Sequence, residues 1–203
     1  IWGFFEYFVG AEDHWLPPDN YQEYRGAMVA HRTSPTNIGL ALLSNLTAYD
    51  IGYIPAATAL TRTAHTFDTL NRLERYRGHF YNWYDTLTLE PLHPIYVSTV
   101  DSGNLAGHLL TLRQGLLAMP QEPIVLERSL DALQHTLDIA LESTHHAGRD
   151  AQAALKTLQH HLAQDEAAQP RTLPAIAAHL KTALVHIQDW IATLEADPAQ
   201  TGY

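Results

Sequence analysis

Leucine and isoleucine recur at helical spacing through the second half of the chain, and this pattern limits the fold more than any other feature. Leu126, Leu130, Leu133, Leu137 and Leu141 form one run, and Leu155, Leu158 and Leu162 a second. Leu173, Ile176, Leu180, Leu184, Ile187, Ile191 and Leu194 form a third. Apolar residues three or four positions apart share one face of an α-helix, so each run predicts an amphipathic helix with that stripe buried. The breaks around His145–Gly148 and Glu166–Pro174 are short, which makes successive helices antiparallel neighbours. Residues 121–203 therefore read as amphipathic helical hairpins, in the same domain as residues 1–120 or in one adjoining it.

The first half reads as helices separated by long polar and aromatic loops. Trp2 to Val9 is a short apolar helix. Ser34 followed by Pro35 is a helix start, with Ser as N-cap and Pro at the first helical position. The helix from Thr36 to Tyr49 carries Ile38, Leu42, Leu46 and Tyr49 on one face. Gly39 inside it costs about 1 kcal/mol against Ala and predicts a close contact. Pro55 opens a helix with Leu60, Ala64, Phe67 and Leu70 inward. Asp101 or Ser102 would cap a further helix from Asn104 to Leu117. Strand character is confined to Phe80–Val100, enough for one short hairpin. The fold class is all-α, built of antiparallel helix pairs joined by long loops.

Composition removes several function classes. In 203 residues, 46% are hydrophobic and 17% charged, which suits a folded body rather than a disordered one. Formal net charge is −10, and lysine occurs only at Lys156 and Lys181. Nucleic acid is therefore not an expected partner, since phosphate contacts need clustered cations. Zero cysteine removes disulfides, thiolate metal sites and a Cys nucleophile. The adjacent pairs His145–His146 and His160–His161 suit chelation badly, because neighbours on a helix point to different faces. They read as solvated surface, and neither metal nor cofactor is expected. No apolar run reaches the roughly 20 residues that span a bilayer, so the segment is not expected to insert. The chain opens directly on an aromatic run at Ile1, as a piece of something longer would.

The chemistry is concentrated in Gly78–His108, GHFYNWYDTLTLEPLHPIYVSTVDSGNLAGH. His79, Tyr81, Asn82, Trp83 and Asp85 crowd its start, and Ser98, Thr99, Asp101 and Asn104 its end. Sugar rings stack C–H faces on aromatic planes, while carboxylates and amides take their hydroxyls. Three further loops share the pattern. Glu12–Glu23 carries Asp13, Trp15, Asp19, Asn20, Gln22 and Glu23 around the stiff Pro17–Pro18 pair. His31–Asn37 offers Arg32 to a carboxylate or a substrate hydroxyl, although for that loop taken alone a helix cap with one surface ion pair is the better account. Asp101-Ser102-Gly103-Asn104 lies at a helix N-terminus.

At these loops the chain resembles a known family. WLPPDNYQE (Trp15–Glu23), HRTSPTNIGL (His31–Leu40), RGHFYNWYDT (Arg77–Thr86) and YVSTVDSGNLAGHLL (Tyr96–Leu110) look like the glycoamylase-like region of cyclic β-1,2-glucan synthases. The likeness covers Phe4–Leu117 and fades into generic helix from about Glu122. A looser likeness runs to endo-β-1,2-glucanases. The resemblance implies about half of an (α/α)₆ barrel with a glucan cleft at one end, and a β-1,2-glucan chain and the parent's remaining domains as partners. It implies a transglycosylating parent at the cytoplasmic side of a bacterial inner membrane, this segment being soluble and inactive in isolation. Tyr81, Asn82, Trp83, Asp85, Ser98, Thr99, Asp101 and Asn104 match the cleft-lining runs, and His79 lies in the same run. Asp19, Asn20, Gln22, Glu23, His31, Arg32 and Asn37 match runs facing the same end. A retaining mechanism needs two carboxyls roughly 5 Å apart. The catalytic pair itself is not identified: Asp85 and Asp101 are weak internal candidates for one of the two, and hydroxyl binding or orienting the true acid/base is the preferred role for both. The rival reading is a non-catalytic glucan-binding or inter-domain helical module.

Overall fold

The computed structural model describes residues 1–24, 28–123, 127–143, 149–163 and 172–195. The chain divides into two compact units, Ile1–Leu126 and Glu127–Tyr203. Both are mostly helical, as expected.

In the first unit, helix α2 (Pro35–Asp50) is the hub and packs against α1 (Trp2–Phe8), α3 (Ala56–Arg72) and α4 (Thr99–Ala118). Ser34 caps α2 as expected, its Oγ accepting the Asn37 N–H at 3.2 Å. Ile38, Leu42, Leu46 and Tyr49 are all buried on the expected face. With Leu16, Leu70, Leu73, Tyr84 and Leu112, the first three of these form the main core. Gly39 makes the close approach its position implies. A Cβ there would collide with the imidazole of His108 on α4 and lie 3.0 Å from that residue's own Cβ.

Three expectations for this unit need correction. Helix α4 begins at Thr99, capped by Ser98, whose Oγ accepts the Asp101 N–H at 3.1 Å; Asp101 and Ser102 are not caps but lie in the first turn. The signal was the Ser-x-x-Asp spacing of a capping box at 98–101. Strand pairing extends beyond Phe80–Val100 and makes three antiparallel two-residue ladders instead of one hairpin. These are β1 (Tyr21–Gln22) with β2 (Met28–Val29), β3 (Arg32–Thr33) with β6 (Tyr84–Asp85), and β4 (Arg75–Tyr76) with β5 (His79–Phe80). Finally, α3 buries Thr63, Thr66 and Thr69 beside Ala59 and Leu70, while Leu60, Ala64 and Phe67 are exposed.

The threonines are inward because carbonyls there need donors. Residues 11–16 turn sharply, with His14 and Trp15 at φ of 53° and 62°, a region that costs non-glycine residues on the order of 1 kcal/mol or more. Thr69 Oγ1 donates to the His14 carbonyl at 2.6 Å and Thr66 Oγ1 to that of Trp15 at 3.1 Å. Arg62, one turn earlier, reaches the carbonyls of Phe5 and Val9 at the end of α1 and Asn45 Oδ1 on α2. A cation placed at a helix C-terminus also complements the helix dipole. Burial lowers the Arg62 pKa from its ordinary value, with Glu6 opposing.

In the second unit, α6 (Arg149–Ala163) packs against both α5 (Glu127–Ser143) and α7 (Leu173–Glu195). Leu137, Leu155, Leu158, Leu162 and Ala183 make its core, with Leu133, Leu141, Ile187 and Trp190 around them. Two readings fail here. Helix α7 turns His179 and Ala183 inward and leaves Leu173, Leu180, Leu184 and Ile191 exposed. His161 is not solvated surface: its ring stacks on that of His179 at 4.6 Å and lies 5.4 Å from that of His186. His160 is exposed, while Leu126, His145 and His146 fall outside the described residues.

Candidate functional site

The strained 11–16 turn, the β3–β6 ladder and the start of α2 bring four loop segments together. Pairing of β3 with β6 sets Arg32 opposite Asp85 and Thr33 opposite Tyr84. Side chains alternate across this stretch. Asn82 and Tyr84 are buried and Trp83, between them, is half-exposed. Tyr84 joins the core, its hydroxyl accepting the Tyr81 N–H and donating to the Glu74 carbonyl, both at 2.7 Å. Burial above all pushes that hydroxyl's pKa up to about 12. Trp83 instead carries the Arg32 guanidinium over its ring, 5.2 Å from the centroid.

Asp19 is the polar centre. Its Oδ2 accepts Arg32 Nη2 at 2.9 Å, Arg32 Nε at 3.2 Å and Asn20 Nδ2 at 3.0 Å. Its Oδ1 accepts Asn37 Nδ2 at 3.4 Å. The guanidinium is thereby fixed between a carboxylate and an indole. Beside it runs an open concavity of about 310 Å³, lined by Asn20, Gln22, Met28, His31, Arg32 and Leu92 among others. The Leu92 N–H donates to the Trp83 carbonyl, which ties the groove wall to the aromatic segment.

A second polar group forms where α2 and α4 begin. Thr36 Oγ1 donates to Asp101 Oδ1 at 2.5 Å and accepts Asn104 Nδ2 at 3.1 Å. Thr36 and Asn37 are consecutive in the first turn of α2, Thr36 meeting Asp101 and Asn37 meeting Asp19. Of the expected residues, Asn20, Gln22, His31 and Arg32 line the groove, Asp19 and Trp83 contact Arg32, Asn37 contacts Asp19, and Asp101 and Asn104 meet at Thr36. The others take different positions. Asn82 is buried and zips two segments, exchanging hydrogen bonds with the Tyr96 backbone. Tyr81 packs on the core, Ser98 caps α4, and His79, Glu23 and Thr99 are exposed. Asp85 Oδ1 accepts the Leu87 and Thr88 N–H groups at 2.8 Å each, closing a turn. Sequence reasoning missed Thr36, Met28 and Leu92. A Thr beside a helix cap has a recognisable position, whereas nothing local marks the other two.

Among the described residues no cluster of His, Asp or Glu could hold a metal ion, and no helix is long and apolar enough to cross a membrane. No protein-family model matches the chain. Over 111 residues, 55% of its length, the chain is 53% identical to the cyclic beta-(1,2)-glucan synthase NdvB of Rhizobium meliloti (strain 1021). The glucan synthase resemblance holds. The chain spans 4% of that synthase, so it corresponds to a small part of such a protein.

Proposed function

We propose that this chain is part of a β-1,2-glucan-processing transglycosylase of the cyclic glucan synthase type, and that its groove binds the glucan. The identity of 53% over 111 residues carries the reading. The groove supports it, with side-chain amides, an imidazole and a guanidinium lining one open concavity and the Trp83 indole behind that guanidinium. Stacking holds a pyranose ring while charged and amide donors and acceptors discriminate its hydroxyls. Arg32 donates from a site prepared by Asp19, so little side-chain freedom is lost on binding. The parent would cut a linear glucan and pass the fragment to the chain's own hydroxyl, closing a ring. This segment would then be half of an (α/α)₆ barrel at the cytoplasmic side of a membrane-bound parent. The outer side of α4 supports the half-barrel, since Val100, Leu110 and Leu117 are exposed there at helical spacing with open Gly103 and Gly107.

One observation favours a binding role over a catalytic one for these residues. Asp85 uses an oxygen to close a turn and Asp101 accepts from Thr36. We therefore assign substrate holding to this segment and the reacting carboxylates to the rest of the parent. The variants Trp83→Ala and Arg32→Ala test the assignment by calorimetric titration with linear β-1,2-glucan oligomers. Each is expected to weaken binding by about tenfold or more, the loss of one good stacking or charged contact. Unchanged affinity in both contradicts the groove.

A further inference from the structure

Asp13 and His31 form a pair that joins a buried carboxylate to the wall of the groove. Asp13 is almost fully buried, held in the strained turn that Thr66 and Thr69 pin. One of its carboxylate oxygens accepts from Thr86 Oγ1 and from His31 Nδ1, the latter at 2.8 Å. The His31 side chain is 42% exposed and lines the groove beside Asn20 and Arg32. A carboxylate at Nδ1 fixes that nitrogen as the donor. In the neutral ring it leaves the lone pair on Nε2, at the opposite edge. Among the described residues Nε2 has no hydrogen-bond partner, so in the neutral ring this open edge is an acceptor of fixed direction.

The surroundings make that acceptor informative. Arg32 has no acceptor atom, and the amide oxygen of Asn20 already faces Gln22 Nε2 at 3.5 Å. Asp19, the other strong acceptor nearby, is occupied by Arg32, Asn20 and Asn37. A polyhydroxylated ligand brings donors as well as acceptors, and His31 Nε2 adds to the groove's amide oxygens an acceptor whose direction is held by Asp13. We propose that His31 is the hydroxyl-positioning residue of the groove, its Nε2 accepting a hydrogen bond from a glucan hydroxyl while buried Asp13 fixes the ring's tautomer and orientation. The proposal rests on the glucan-binding reading above and adds the atom that orients the sugar. Asp13 does not line the groove and reaches it through His31, which makes Asp13 a positioning residue.

Two substitutions separate the nitrogens. His31→Asn places an amide near Nδ1, where it still reaches Asp13 but not the groove. His31→Gln places one near Nε2, where it still reaches the groove. Titration with linear β-1,2-glucan oligomers is expected to show His31→Asn about tenfold weaker than the unsubstituted chain, the loss of one hydrogen bond, and His31→Gln within about threefold. In the unsubstituted chain, ring-¹⁵N spectra should show the His31 Nε2 resonance moving on addition of glucan while the Nδ1–H resonance stays. The spectra give an answer even where a variant fails to fold. Glucan binding with an unmoved Nε2 signal, or full affinity in His31→Asn, overturns the His31 assignment and leaves the groove standing. No glucan binding by the unsubstituted chain overturns both.

Discussion

At the scale of single residues, Tyr84 shows how an aromatic in a sugar-binding-like sequence is claimed by the fold instead. Its ring is fully buried, and its hydroxyl pairs with the Tyr81 N–H and the Glu74 carbonyl. Tyr84→Phe should destabilise the first unit by about 1–3 kcal/mol, the cost of leaving buried polar groups unpaired. The pH dependence is specific. The folded-state pKa is raised to about 12, above the ordinary tyrosine value near 10, so the contribution is complete below pH 10. It is lost as pH rises from about 10 to about 12. Urea melts of the unsubstituted chain and the Tyr84→Phe variant should show their stability gap closing only across that range. Trp83 next to it points the other way, onto Arg32, and that alternation was not visible in the sequence. Seven consecutive polar and aromatic residues at 79–85 carry no hydrophobic period, so only the β3–β6 register decides which are core. Of the residues singled out in the sequence, Asn20, Gln22, His31 and Arg32 line the groove. Composition could not mark Thr36 or Leu92, whose roles arise from contacts with distant segments.

At the scale of elements, the packing of α4 on α2 depends on Gly39. Because the atoms it would meet belong to the His108 ring and Cβ rather than to a flexible chain end, Gly39→Ala should cost about 1–3 kcal/mol through overpacking. In a His108→Ala background the same change should be neutral, or stabilising by up to about 1 kcal/mol from helix propensity. Thermal melts of the four proteins in this cycle measure the coupling, and equal costs in both backgrounds would show that the His108 contact is not the cause. Helices were legible where the inward stripe is aliphatic, as in α2. In α3 the rule gave the wrong face, because the strained turn of residues 11–16 presents carbonyls and threonine both fills the space and donates to them. In α7 the inward side holds His179 and Ala183, which stack on and pack against α6 where larger side chains were expected. Hydrophobic periodicity predicts a helix reliably, but the buried face follows from what the neighbouring element presents.

For the whole molecule, each unit has its own core, and the first carries the groove. The loops that deliver the groove residues are joined to α2 and α3 by hydrogen bonds from Asn37, Thr66 and Thr69. The site is thus held before any ligand arrives, which favours selectivity, since rigid donors and acceptors penalise a sugar whose hydroxyls fall elsewhere. The central claim is that these loops recognise β-1,2-linked glucan. The measurement that tests it most directly is a tryptophan-fluorescence titration of the intact chain with linear β-1,2-, β-1,3- and β-1,4-linked glucan oligomers of equal length. Saturable binding of the β-1,2-linked series, at least about tenfold tighter than the other two, is the predicted result; a difference of that size corresponds to one well-made polar contact. Equal response to all three linkages, or none to any, would contradict it.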